Sequence, residues 1–291
     1  MKKVYFFITL AAFLFGTMEV ALKIAGSDMD PLQLTFLRFF IGGIVLIPAA
    51  AGEMKSKKTK IRRQDLGRLL LLGIICIPVS MVLFQLGVDG SNASTAAVIF
   101  SVNPLFTMIL AHFFAGESMN RNKGIAFFLG LGGIIAMMRP WDVQSGNSIS
   151  GMLFSVLAAA FFGIYTVMGK NSVVRLGAIA QTCISFIMGS FVLLIIIIIM
   201  GRPVIAGISD DLLLLSYVSI FITGLGYLAY FIAIRYSDAT TGSVTFFIKP
   251  IIAPIIAALV LGDVILSSTY AGIGLILMAS FININENRKS R

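Results

Sequence analysis

The chain has 291 residues, 58% of them hydrophobic and 12% charged, with a mean hydropathy of +0.98. A soluble domain cannot hide that much apolar surface, so composition excludes a water-soluble enzyme or binding module and points to a polytopic membrane protein. The formal net charge of +9 would suit a nucleic-acid binder only if Lys and Arg gathered on one accessible face; here they sit in short loops between apolar runs, so the excess reports topology.

The opening MKKVYFFITLAAFLFG imitates a secretory leader, but Glu19 and Lys23 stand where a cleavage region should follow, which predicts a retained first helix. Apolar runs long enough to cross about 30 Å of hydrocarbon can be laid down over 4–25, 31–51, 67–88, 93–115, 122–139, 150–170, 177–200, 211–235, 239–261 and 268–285. Short connections rich in Gly, Asp, Ser and Asn separate them. With the N-terminus inside, the inner segments hold seventeen of the 22 basic residues, the outer ones only Arg139 and Arg202, and Lys23, Arg38 and Lys249 fall within spans. That asymmetry predicts cytoplasmic N- and C-termini in the cell membrane. Cys76 and Cys183 lie inside apolar spans and read as small buried hydrophobes. The lone His112 has no neighbours of ligand type, so no metal site is expected.

Two stretches match at a shift of 146 positions. Ser91 to Glu117 and Ser237 to Asp263 share Ala93/Ala239, Thr95/Thr241, Val98/Val244, Phe100/Phe246, Pro104/Pro250, Ile109/Ile255, Ala111/Ala257 and Gly116/Gly262. Asn103 falls on Lys249. The coincidence of proline, glycine and a terminal acid predicts a tandem repeat, 1–146 and 147–291. Five spans per unit is an odd number, so the halves enter the membrane from opposite sides. The predicted fold is all-α integral membrane, ten transmembrane helices as two inverted five-helix repeats, an architecture of secondary transporters.

These features resemble the drug/metabolite transporter superfamily, in its ten-helix EamA-type branch. The resemblance rests on Phe15-Gly16 followed by Lys23, on PLQLTFLRFF with Arg38, and on the paired endings Pro104 to Glu117 and Pro250 to Asp263. It implies a central cavity lined by helices one, three, four, six, eight and nine, and a branch that exports small metabolites. It leaves the substrate open among amino acids, quaternary amines, nucleotide-sugars and drugs.

Lys249 stands mid-span beside Pro250, with Pro254 one turn on; Pro104 marks the equivalent place in helix four, and all three are expected to kink their helices. A cation at that depth costs roughly 2.5–3.5 kcal/mol on insertion scales, so Lys249 is expected to face a partner or a watery cavity. Either it binds a substrate carboxylate or phosphate, with Asn103 facing it, or freed carbonyls satisfy it and it only pins helices. Glu19 and Lys23, at i and i+4, suggest a local ion pair with Lys23 reaching the headgroups. Glu19 also has the sharper reading of a carboxyl that exchanges a proton for a cationic substrate. Arg38 reads as a structural clamp able to pair with Glu19. Gln85, Tyr165, Tyr227 and Tyr230 are polar candidates for the cavity wall or for helix–helix hydrogen bonds, and Phe100 and Phe246 could offer ring faces to a cation or simply pack.

The function expected is secondary transport of a small metabolite, an amino acid or related zwitterion, by export, with protons as the coupling ion. The alternative of the same class is a carrier of organic cations, drugs or choline-like amines. The alternative of another class is a lipid-modifying membrane enzyme, which would want a His/Asp or paired-acid constellation at one interface. No GxxxxGK[ST] phosphate loop occurs. No enzyme activity, cofactor or nucleic-acid partner is expected, and the carrier would be a monomer or homodimer in the bilayer.

Overall fold

The computed structural model describes residues 2–116, 119–138, 146–207, 212–236, 244–265 and 267–289, and among these every regular element is helical. The first predicted span divides into α1 (Lys2–Gly16) and α2 (Met18–Ala25). Then come α3 (Pro31–Ser56) and α4 (Arg63–Ile74), which runs through a π-helical stretch (Ile75–Met81) into α5 (Val82–Asp89). The fourth span divides into α6 (Ala93–Phe100) and α7 (Asn103–Ala115), and α8 covers Arg121–Met138. The second half holds α9 (Ile149–Leu176), α10 (Ala178–Ile199), and α11 (Leu212–Ser216), which leads through a second π stretch (Tyr217–Gly226) into α12 (Tyr227–Tyr236). It ends with α13 (Val244–Leu261) and α14 (Ser267–Lys289). Among the described residues, seven helical segments are long and apolar enough to cross a membrane, and Ile248–Leu261 and Ser267–Ile282 are shorter apolar helices.

Local chemistry sets the boundaries. Asp30 caps α3, its carboxylate accepting from Leu32 N at 2.9 Å with Pro31 at the first helical position. Ser148 caps α9 through Gly151 N at 3.0 Å. Gly177, at φ +104°, ends α9 and starts α10 without a longer loop. The breaks and wide turns inside spans also have causes. Thr17 Oγ1, between α1 and α2, donates to Leu14 O at 2.9 Å and shares a hydrogen bond with Tyr217 Oη at 2.7 Å. Pro78 lacks the N–H that an ordinary turn would use, and the first π stretch forms around it. In the second, Thr223 Oγ1 satisfies Val218 O at 2.8 Å.

Packing joins α3 to α10, α8 to α14, α6 to α13, α1 to α12 and α13, and α9 to α5 and α7; α4 meets α10, and the second π stretch meets α3. Gly73 lets α4 and α10 touch backbone to backbone, since a Cβ there would fall 2.8 Å from Gly189 N. The bundle is inverted relative to a soluble protein. Leu213 and Leu259 are 87% and 80% exposed, while Glu19, Arg38, Gln85, Gln181 and Lys249 are buried. Such a surface suits lipid, and the buried polar groups must find partners within the protein.

Candidate functional site

Glu19 lies on the first turn of α2, just past the Thr17 break, and Lys249 lies on α13 just before Pro250. A Cβ on Gly16 would meet Ile252 at 2.6 Å, so the absence of a side chain there is what allows α1 to approach α13 this closely. The two side chains meet: Lys249 Nζ is 2.5 Å from Glu19 Oε1, with residue exposures of 2% and 0%. The second carboxylate oxygen, Oε2, has no hydrogen-bond partner. The ammonium also stands 5.3 Å from the ring centre of Phe100 and 5.8 Å from that of Phe84.

Arg38, on α3, completes the cluster. Its guanidinium carbon sits 4.4 Å over Phe39 and 5.8 Å from the same Phe84 ring, and the residue is 1% exposed. Among the described residues, its terminal nitrogens meet the sulfurs of Met18 at 3.9 Å and Met81 at 3.7 Å, and Nε has no partner. The expected Arg38–Glu19 pair does not form: among the described residues, Glu19 has its ion pair with Lys249 and Arg38 has none.

The expected Glu19–Lys23 pair is likewise replaced. Lys23 Nζ donates to the carbonyls of Val88, Asp89 and Ser91 at 2.9, 2.7 and 2.8 Å. The C-terminal end of α5 presents carbonyls without helical partners, and an ammonium with three donors satisfies them where one carboxylate could not. Beside it, Asp263 Oδ2 accepts from Ser94 N and Oγ at 3.2 and 2.9 Å, and Ser148 Oγ donates to Gly90 O at 2.7 Å.

The other predicted residues divide. Phe100 belongs to the cluster, 4.5 Å from Phe84 and 5.7 Å from Phe162 between ring centres. Asn103 is 5% exposed at the start of α7, its Nδ2 without a partner and making no hydrogen bond to Lys249. Gln85 Nε2 donates to Asp89 Oδ1 at 2.9 Å and Leu22 O at 3.4 Å, a tie between α5 and α2, while its Oε1 is unsatisfied. Tyr165 Oη accepts from Gln181 Nε2 at 3.0 Å, joining α9 to α10. Tyr227 stands edge-on to Phe15 and Phe186, both at 5.2 Å, and Tyr230 lies 6.4 Å from Phe15. Pro104 occupies the first turn of α7 directly after the Ser101–Val102 break, whereas Pro250 and Pro254 lie inside α13. The side chain of Phe246 lies outside the described residues. Phe84 was not anticipated, although the 146-residue shift places it on Tyr230 and would have found it.

Cys76 and Cys183 are free and buried. His112 is exposed, and among the described residues no group of three or more His, Cys, Asp or Glu side chains is placed to hold a metal. The irregular backbone gathers at the cluster. Thr17 precedes Glu19 by two residues, the first π stretch ends at Met81 against Arg38, the second ends beside Tyr227, and the Ser101–Val102 break separates Phe100 from Asn103. Non-helical backbone at this depth is tolerated where protein or a water-filled cavity surrounds it.

The model of the EamA-like transporter family matches this chain twice, over residues 2–139 and 149–285. The chain is 37% identical to a transporter of Clostridium kluyveri, over all of this chain and 96% of that one. It is 26% identical to an S-adenosylmethionine uptake transporter of Rickettsia prowazekii, over 94% of this chain and 89% of that one. A crystal structure matched over 100% of this chain and 99% of its own, with a TM-score of 0.69 at 15% identity, shares the fold.

Proposed function

The chain belongs to the EamA-like transporter family, and from that premise we propose that it carries a small zwitterionic metabolite, an amino acid or a derivative of one, by alternating access. The observation that carries the reading is the enclosed Glu19–Lys249 ion pair. An empty carrier must tolerate its own binding charges in a medium without water, and the internal pair does this. A zwitterion would divide the pair, its ammonium going to Glu19 and its carboxylate to Lys249, with no change in net charge. A cation alone would strand Lys249, and an anion alone would strand Glu19 unless the acid took up a proton. Proton uptake by Glu19 once the substrate has left outside, with release of that proton inside when the next substrate binds, is the proposed route for coupling export to a proton gradient.

Ten crossings arranged as two inverted repeats, 1–146 and 147–291, belong to the same proposal. Its support is that several of the main helix contacts come in related pairs, one from each half. The packing of α1 on α13 answers that of α9 on α7, and α1 on α12 answers α9 on α5. The contact of α4 with α10 answers that of the second π stretch with α3. The breaks at Thr17 and Ser101–Val102 have no helical interruption in α9 or α13 to match them, so the halves differ most where the charges lie. Residence in the cell membrane with both termini cytoplasmic rests on the basic inner loops. Similarity to an S-adenosylmethionine transporter supports a ligand with an α-amino acid group, since that molecule carries one.

Counterflow in proteoliposomes tests this, with L-methionine, S-adenosylmethionine and choline as labelled substrates and wild type beside Lys249→Gln. Methionine or S-adenosylmethionine should exchange in wild type and fall at least tenfold in the variant. Exchange of choline alone, unaffected by Lys249→Gln, would transfer the protein to the cation carriers.

A further inference from the structure

Arg38 is more than a clamp. A structural arginine in a membrane bundle is normally held by carboxylates or carbonyls that use its fork of five N–H donors. Here the guanidinium is 1% exposed, its Nε is unpaired, and its terminal nitrogens face two thioether sulfurs, which are weak acceptors. Phe39 and Phe84 offer ring faces but no acceptor atoms. The nearest acid, Glu19, is engaged by Lys249. Among the described residues, three buried charged side chains therefore gather near Phe84, two cationic and one anionic, leaving one positive charge without an acid of its own, its Nε unpaired and its terminal nitrogens on sulfurs.

We infer that Arg38 is an anion-binding residue, and that its ligand is a carboxylate received by the guanidinium fork on the Phe84 side of the cluster. This rests on the transporter reading above and goes beyond it, because that reading needs only Lys249 and Glu19. The geometry requires a planar anion with two acceptor oxygens, matched to the fork. The carboxylate of such a ligand supplies, at the guanidinium, the negative partner that Arg38 lacks. Lys249 flanks the same Phe84 ring at the same 5.8 Å, so one carboxylate reaches toward both cations once Glu19 turns away.

The test measures thermal stabilisation of the purified full-length protein by three matched probe sets. The first is L-leucine, L-methionine and L-phenylalanine; the second is their carboxamides; the third is the deaminated acids 4-methylpentanoate and 3-phenylpropanoate. Wild type is compared with Arg38→Lys, which keeps the charge and loses the fork. Carboxylate probes should raise the unfolding midpoint of wild type, carboxamides should not, and the half-saturating concentration should rise at least tenfold in Arg38→Lys. Should that variant fail to fold, phenylglyoxal labelling of Arg38 in wild type, read by mass spectrometry, replaces it: carboxylates protect and carboxamides do not. Equal responses in the two proteins, equal responses to acids and amides, or labelling that carboxylates leave unchanged overturns the inference. Deaminated acids acting through Arg38 as well as amino acids do would leave the inference standing and remove the zwitterion reading. Stabilisation by choline alone removes both.

Discussion

Two charged regions lie one helical turn apart on α2, and they are built differently. At Lys23 every hydrogen of the ammonium has a carbonyl acceptor, at 2.7 to 2.9 Å, and the neighbouring Asp263 accepts twice from Ser94. At Glu19, deeper in the bundle, one carboxylate oxygen is unpartnered, Arg38 has an idle donor, and Asn103 keeps an unsatisfied atom. A satisfied network holds one arrangement of helices, which is what a latch at the end of a bundle requires. An unsatisfied one, buried where water cannot compensate it, leaves valences for a ligand to fill. The contrast sets a fully partnered group of residues apart from the incompletely partnered group proposed to bind.

The largest expected effect breaks the deep pair. Lys249→Met should destabilise the protein by about 3–5 kcal/mol, because it leaves Glu19 charged, buried and alone. Glu19→Gln together with Lys249→Met should recover most of the loss, since no charge is then stranded. Unfolding of both single variants and the double variant in detergent gives the coupling energy. Additive losses would mean that the two groups do not share one ion pair.

Lys23→Met tests the other region and should cost about 1–2 kcal/mol. Each charge-assisted bond to a carbonyl is worth about 1.5–3 kcal/mol when buried, but Lys23 is only half-buried and the released carbonyls regain water. The same variant should leave the half-saturation of carboxylate probes unchanged. A tenfold shift there would join the two regions into one site and remove the distinction.

The helices were legible because apolar runs of membrane length announce themselves, and Lys249 was legible as a cation in such a run. Its partner was not, since Glu19 and Lys249 stand far apart in sequence and no periodicity records which helices become neighbours. The i, i+4 spacing favoured Lys23 for Glu19, a sound local expectation overridden by tertiary acceptors at the end of α5. Arg38 was visible as a charge, but its lack of acceptors is a property of the packed bundle. The Thr17 break carries no proline or glycine of its own to announce it, though Gly16 precedes it. Pro78 hinted at the first π stretch, whereas the second has no proline.

The smallest effect is also the finest test of the latch. Asp263 follows Gly262, which ends α13 at φ +69°, and its carboxylate reaches the first turn of α6. Two contributions are combined there: the acceptor oxygen that Ser94 uses, and a negative charge set against a helix N-terminus. Asp263→Asn keeps the acceptor and removes the charge, so it should cost only about 0.3–1 kcal/mol. Ser94→Ala removes the hydroxyl bond and should cost about 0.6 kcal/mol, the average for hydrogen bonds measured between membrane helices. Both values should stay well below the loss from Lys249→Met in the same detergent. If Asp263→Asn instead matched Lys249→Met, the acid would be acting as a buried counter-ion, and the end of the bundle would have to be counted with the charge cluster rather than against it.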